Sequence, residues 1–178
     1  MAMEHKVFLF DSRRFNSELR PIIERSLETE TTDDLLIFIA INRSILTDPY
    51  EGEALSEEHD IGLSSASVDE CADYCLTKYY NVKEDLGLGP NWSACQDRVE
   101  KIAPGSGGIL LGQVIKVGER VFDPGKMGSY FVSADDIAPR LQIIRNMRQD
   151  AHGDELLTLL EQAHELAASK GLGLYVTF

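Results

Sequence analysis

Four consecutive residues, Glu57, Glu58, His59 and Asp60, place three carboxylates and an imidazole side by side. Carboxylate oxygens and imidazole nitrogens are ligands that divalent cations use in proteins. Adjacent residues seldom all face one ion, however, and segments rich in carboxylates are usually just solvated. The sequence contains no second group of ligands that could complete a site. We therefore predict no metal site and no cofactor.

The chain also has three cysteines, Cys71, Cys75 and Cys95, whose thiols could bind a metal or act as nucleophiles. Cys71 and Cys75 lie one helical turn apart, but a zinc site needs about four ligands. A cysteine nucleophile would need a histidine brought near it by the fold, and no local signature marks such a partner among His5, His59, His152 and His164. Each cysteine falls on the apolar stripe of a predicted helix, so we expect all three to be structural.

The glycine-rich segment 104–108 does not match a nucleotide-binding loop. It lacks the Gly-Lys-Ser/Thr ending of a P-loop, and Leu110 stands where the dinucleotide fingerprint has its third glycine. His164 and Glu165 are followed by apolar residues, which does not fit the metalloprotease pattern. These motifs indicate no phosphate cradle and no catalytic metal.

Negative charge is the most informative chemical feature of the chain. The net charge is −13, and nine acidic residues lie in the segment 48–73, while residues 44–77 contain no lysine or arginine. Such a field repels phosphate backbones and attracts a basic protein or a cation. The sequence therefore disfavours nucleic-acid binding through this surface. The alternative is that the acidic segment is only a solvated face.

The charge pattern favours a non-catalytic interaction domain, of the inhibitor or immunity kind, that binds a basic protein through its acidic surface. The residues predicted to contact the partner are Glu51, Glu53, Glu57, Glu58, Asp60, Tyr50, Tyr79, Tyr80 and Trp92. The alternative is a small hydrolase or transferase that uses a cysteine or a carboxylate. A pairing of such groups is possible in the fold, but no spacing in the sequence specifies it.

Length and composition predict one domain over residues 1–178. With 178 residues, 43% of them hydrophobic, the chain is long enough to bury its own core. No apolar run approaches the roughly 20 residues of a membrane span, and residues 1–6 lack the features of a signal peptide. An odd number of cysteines disfavours a secreted disulfide framework. We therefore expect a cytoplasmic protein without membrane contact.

About six helices are predicted from apolar periodicity and capping signals. The first starts near Asn16 or Ser17, unless Pro21 kinks a longer helix. The second follows Asp33 and extends through residue 46, although its run LLIFIAI also has the composition of a strand. Ser67 opens the third with a capping box, and the fourth covers about 91–102. The fifth starts near Asp135 or Asp136 because of Pro139 and ends before Gly153, and the sixth runs from about Asp154 to Lys170. An exposed acidic loop is expected at about 48–66.

Strand signals cluster at both ends of the chain and in its middle. We predict strands at residues 6–10, 109–117, 120–122, 128–132 and 172–178, forming a small, mainly antiparallel sheet. The middle three should form a meander, with a two-residue hairpin loop at Gly118-Glu119 and a type II turn at 123–126. The last strand should place Leu174 and Val176 on one side and Tyr175 on the other. The predicted fold class is thus α+β.

The second half of the chain resembles the YfbM-like family of small bacterial proteins. The resemblance rests on Trp92 in a helix, the segment GGILLG, a glycine-rich hairpin with Gly128-Ser129-Tyr130-Phe131, a capped helix and the ending LLTLLEQAHELAASKGLGLYVTF. This family has no established activity. The resemblance implies a cytoplasmic α+β domain and no particular reaction.

Overall fold

Helices make up most of the chain, and strands lie near its two ends and in its middle. The structure is a computed structural model that describes residues 3–124 and 127–178, without the side chains of Asp60 and Ile61. In chain order its elements are β1 (Lys6–Phe10), α1 (Ser12–Glu18), α2 (Arg20–Thr29), α3 (Asp33–Asn42), α4 (Glu57–Leu63), α5 (Val68–Leu76), α6 (Trp92–Ile102), a 3-10 helix (Gly107–Leu110), β2 (Lys116–Val117), β3 (Arg120–Val121), β4 (Ser129–Val132), α7 (Ala134–Asp150), α8 (Glu155–Lys170) and β5 (Gly173–Thr177). The predicted α+β class is confirmed.

A three-stranded antiparallel sheet in the order β1-β5-β4 lies between two helical layers. Successive side chains of β5 point to opposite faces, as predicted, but every residue of this central strand is buried. Tyr175 packs into a core formed with α1, α2, α3 and α5, whereas Leu174 and Val176 pack towards α7 and α8. Helices therefore cover both faces of the sheet.

Aromatic rings fill the face of the sheet that carries Tyr175. The rings of Tyr80, Phe131 and Phe10 lie 5.0, 5.3 and 5.9 Å from that of Tyr175. Phe131 also stacks on Phe15 of α1 at 5.1 Å. Offset and tilted arrangements of this kind add to the stabilisation from burial of the rings.

The first helical segment differs from the prediction. Asp11 caps α1 through its side chain, which accepts the N–H of Arg14 at 3.2 Å, so the helix begins at Ser12. Leu19 then closes α1 and opens α2, with Pro21 in the first turn of α2. Proline lacks an N–H, and in a first turn it costs the helix no hydrogen bond. The break gives two short helices, and with α4 it raises the number of helices in the described ranges to eight.

The ambiguous run after Asp33 forms a helix. Asp33 and Asp34 occupy the first turn of α3, where the helix dipole favours negative charge. Leu35, Phe38 and Ile39 face the core, which requires helical spacing. The predicted continuation to residue 46 is wrong, because α3 ends at Asn42.

The end of the predicted first strand, at residues 116 and 117, forms β2, but the start of that strand and the pairing predicted for β4 are wrong. Residues 107–110 form a 3-10 helix, and its carbonyl groups are bound by side chains from elsewhere in the chain rather than by a strand. The hairpin at Gly118-Glu119 is present as the pair β2–β3, with Gly118 at φ 58°. β4 pairs instead with β5. The predicted turn at 123–126 includes Gly125 and Lys126, which lie outside the described residues.

Candidate functional site

A cleft of about 400 Å³ opens between α4, α5 and the loop that follows α3. We call it the acidic cleft, and it is lined by Tyr50, Glu58, His59, Gly62, Leu63, Ala66, Glu70, Asp73 and Tyr74. Its walls combine carboxylates, two phenol rings and a small apolar patch. The predicted loop at 48–66 is therefore partly helical, since α4 occupies residues 57–63 and forms one wall.

Asp48 holds the loop that borders the cleft in one conformation. Its Oδ1 atom accepts the backbone N–H groups of Tyr50 at 2.8 Å and Glu51 at 2.7 Å, while Oδ2 accepts the hydroxyl of Tyr74 at 3.2 Å. Burial alone would raise the pKa of Asp48, but these hydrogen bonds hold the pKa below its ordinary value. Asp48 is therefore an ionised structural residue that orders this side of the cleft.

His59 connects α4 to this loop. Its Nδ1 atom accepts the backbone N–H of Ser56 at 3.0 Å, so the neutral ring carries its proton on Nε2, which lies 3.5 Å from Oδ2 of Asp48. The Ser56 hydroxyl is also 2.8 Å from Nδ1. A catalytic triad uses the opposite ring nitrogens, with Nε2 towards serine and Nδ1 towards aspartate. Here Ser56 and His59 join the start of α4 to the loop, an arrangement that favours a structural role.

Helix α5 supplies the opposite wall through Glu70, Asp73 and Tyr74. Glu70 completes a capping box, because its carboxylate accepts the N–H of Ser67 at 2.7 Å and its own N–H is bound by the Ser67 hydroxyl at 3.2 Å. The bond from the Ser67 N–H lowers the pKa of Glu70. Burial and the nearby Asp48 raise the pKa of Tyr74 to about 12. The tyrosines thus stay neutral, and carboxylates supply the charge of the cleft.

The exposed part of the acidic segment is smaller than its composition indicates. Asp69 accepts Arg120 at 3.1 Å and the N–H of Asp123 at 3.0 Å, and Asp73 is only 2% exposed. The carboxylates of Asp48 and Glu70 accept hydrogen bonds from backbone N–H groups. The carboxylates that project into solvent are those of Glu51, Glu53, Glu57 and Glu58, while the predicted contact Asp60 has a side chain outside the described residues. Glu58 lines the cleft, Glu51 and Glu57 directly adjoin the lining residues Tyr50 and Glu58 in the chain, and Glu53 lies in the same loop. We call these four residues the rim carboxylates.

Three of the predicted aromatic contacts are placed elsewhere by the structure. Tyr79 is 4% exposed and donates its hydroxyl to Glu18, and Tyr80 is 8% exposed and packs on Phe8 at 4.9 Å. Both are core residues with little exposed surface, and their contact with a partner stays a prediction.

Trp92 begins α6 and is half-buried, with its ring 5.1 Å from that of Phe178. It is not among the residues that line the cleft. Of the predicted aromatic contacts, Tyr50 lines the cleft, and it is 62% exposed.

The cysteines are placed where a reactive thiol is disfavoured. All three are buried and unpaired as disulfides. Burial raises the pKa of Cys71 and of Cys95 to about 11, and it raises the pKa of Cys75 as well. Because the thiolate is the nucleophile and the metal ligand, these thiols are poor candidates for either role. In the described part of the chain, no three His, Cys, Asp or Glu side chains converge as metal ligands.

Sequence reasoning missed Asp48, Tyr74 and the walls of the cleft. One signal was available: Glu70, Asp73 and Tyr74 follow the spacing i, i+3, i+4 on a helix that the capping box had already identified, so they share one face. The contact between this face and Asp48 had no signal, because it depends on how the loop at 47–54 folds back.

Comparison with known proteins gives no relative. No family model matches the chain, and neither a curated protein nor a solved structure matches it significantly. The resemblance to the YfbM-like family therefore stays a prediction. Within the ranges that the structure describes, no helix has both the length and the apolar composition of a membrane span.

Proposed function

We propose that this protein is a non-catalytic interaction domain, of the inhibitor or immunity kind, that binds a basic protein through the acidic cleft. The observation that carries the proposal is the composition of the cleft walls, where carboxylates, phenol rings and apolar side chains surround about 400 Å³. The cleft takes one lysine or arginine side chain of the partner. Glu51, Glu53, Glu57 and Glu58 attract the surrounding basic surface.

The walls suit both parts of such a side chain. Lysine and arginine combine an apolar stem with a charged head. Leu63 and Ala66 offer apolar contact to the stem, while Tyr50 and Tyr74 can receive the head by cation–π interaction. Glu58, Glu70 and Asp73 provide the negative potential. A neutral small molecule would gain much less from this combination.

The local charge balance favours a macromolecular partner over an isolated cation. Residues 44–77 contain no lysine or arginine, so this segment carries its negative charge without a basic residue of its own. A partner with several positive charges would be steered towards the rim and would bind faster at low salt. The same field repels phosphate backbones, so the proposal excludes nucleic acid at this surface.

The buried, unpaired thiols support a cytoplasmic location, where cysteines stay reduced. They also weigh against the alternative of a cysteine-dependent hydrolase or transferase. The reversed ring orientation of His59 weighs against a serine nucleophile at Ser56. Binding is therefore the function that the geometry supports best.

The test is the association of the protein with a partner captured from a native lysate. The variant E51Q/E53Q/E57Q/E58Q removes four rim charges, and the control variant E4Q/E28Q/E119Q/E155Q removes four exposed charges elsewhere. We expect the rim variant to associate roughly tenfold more slowly and with a weaker salt dependence, since steering depends on local field. Equal rates for the two variants would overturn the proposal.

A further inference from the structure

A small enclosed cavity lies on the opposite side of the sheet, between the 3-10 helix, α7 and α8. We call it the His164 cavity; its volume is about 10 Å³, and its lining includes His5, Leu110, Arg140, Leu160, Ala163 and His164. Two of these lining residues carry a buried polar atom, Nε of Arg140 and Nε2 of His164, that has no hydrogen-bond partner among the described residues. Buried polar groups in folded proteins almost always have one.

Hydrogen-bond geometry decides the role of the His164 nitrogen. Nδ1 lies 2.8 Å from the carbonyl of Leu160, so it carries the proton of the neutral ring and donates. Nε2 is therefore an acceptor. The side chain is 2% exposed, and burial with the neighbouring Arg140 charge keeps it neutral at pH 7.

Arg140 presents the complementary group. Its Nη2 atom donates to the carbonyl of Ile109 at 2.6 Å and to that of Leu111, which holds the 3-10 helix against α7. Its Nε–H is a further donor that these carbonyls do not use. The residues that line the cavity thus offer one donor, Nε–H of Arg140, and one acceptor, Nε2 of His164.

We propose that the His164 cavity binds one water molecule, which accepts a hydrogen bond from Nε–H of Arg140 and donates one to Nε2 of His164. About 10 Å³ is close to the smallest space that holds a water, and two polar partners are the minimum that keep one in place. The space is too small for an organic ligand. A cation is repelled by Arg140, and an anion is disfavoured by the acceptor on His164.

The water connects the 3-10 helix to α8 through Arg140. His5 holds the same segment directly, because its Nδ1 accepts the N–H of Leu88 at 3.3 Å and its Nε2–H donates to the carbonyl of Leu110 at 2.8 Å. The carbonyls that a strand would have paired are thus bound by two side chains, one of which is fixed by the water.

The test uses hydration cross-peaks in nuclear Overhauser spectra of isotope-labelled protein at neutral pH. We expect the ring proton between the two nitrogens of His164 and the Nε proton of Arg140 to show cross-peaks with the sign of a slowly exchanging, bound water. The exposed ring of His152 is the internal control and should show the sign of fast surface water.

A second measurement separates bridging from mere proximity. The substitution His164→Leu removes the acceptor, so the Arg140 cross-peak should be lost while the spectrum stays that of a folded protein. If the wild-type protein shows no bound-water cross-peak at either site, or if the Arg140 cross-peak persists in the leucine variant, the proposal is wrong. Should the variant fail to fold, the wild-type cross-peaks alone decide.

Discussion

The acidic cleft and the His164 cavity each place a histidine beside a charged residue, but the two histidines differ in burial and in the sign of the neighbouring charge. His59 lies at an open cleft, with Nε2 near the carboxylate of Asp48. His164 is enclosed beside the cation Arg140. The first arrangement holds a loop at a solvent-filled surface, while the second fixes a neutral ring inside the protein. Burial and the neighbouring groups, rather than residue type, distinguish the two histidines.

The backbone is packed more closely near the His164 cavity than at the acidic cleft. A methyl group added at Gly87, which adjoins the His164 cavity, would lie 2.1 Å from the carbonyl oxygen of His5. A methyl group at Gly62, on the wall of the cleft, meets nothing within 4 Å. The cavity side is therefore closely packed, and the cleft side has free space.

The largest expected effect comes from alanine at these two glycines. Gly87→Ala should lower the free energy of unfolding by at least about 3 kcal/mol, because backbone atoms cannot move away from the new methyl group. Gly62→Ala should raise it by about 0.5 to 1 kcal/mol, because alanine favours the helix more than glycine does. Urea unfolding measures both. Similar losses for the two variants would remove the contrast between the regions.

The next effect is the pH dependence that His164 contributes. Its pKa is lowered from 6.5 to about 4 by burial, so the unfolded chain binds a proton that the folded protein does not. The contribution of His164 to the free energy of unfolding is therefore fully present above pH 6.5. It is lost as the pH falls towards 4, and the free energy of unfolding drops by about 3 kcal/mol in total. Urea unfolding across this range should therefore be steeper in pH for the wild type than for His164→Leu. Parallel curves would show that His164 titrates normally in the folded protein.

The smallest expected effects come from the caps of the two helices that form the walls. Ser67 caps α5 at the cleft through one N–H, and Asp154 caps α8 near the cavity through the N–H groups of Leu156 and Leu157. Ser67→Ala should cost about 1 kcal/mol. Asp154→Ala should cost more, because Asp154 also pairs with Arg98 at 2.8 Å. Thermal unfolding of the two variants gives the order, and the reverse order would contradict this account.

Local signals predicted the parts of the fold that depend on neighbouring residues. The capping box at Ser67, the helix that ends at Gly171 and the alternation around Tyr175 were all visible in the sequence. The 3-10 helix was not, because the groups that bind its carbonyls, His5 and Arg140, are distant in sequence. A run such as GGILL has the composition of a strand until its hydrogen-bond partners are known.

The sequence indicated the negative charge of the candidate site but not the geometry of its side chains. Composition identified the acidic segment, and Glu51, Glu53, Glu57 and Glu58 are exposed. Counting charges could not show that Asp69 pairs with Arg120. Nor could it show that Tyr80 packs beneath the sheet face rather than at the surface. The direction of a side chain depends on tertiary packing, which a charge count does not contain.

The most direct test of the central claim is a titration of the labelled protein with Nα-acetyl-arginine amide, followed by amide chemical shifts. The citrulline analogue, which has nearly the same shape and no charge, is the control ligand. We predict saturable shifts of the Tyr50, Gly62 and Tyr74 amides with the arginine probe, weakened by salt and reduced in E51Q/E53Q/E57Q/E58Q. Equal shifts with the citrulline probe, or shifts scattered away from the cleft, would contradict a site for a cationic side chain.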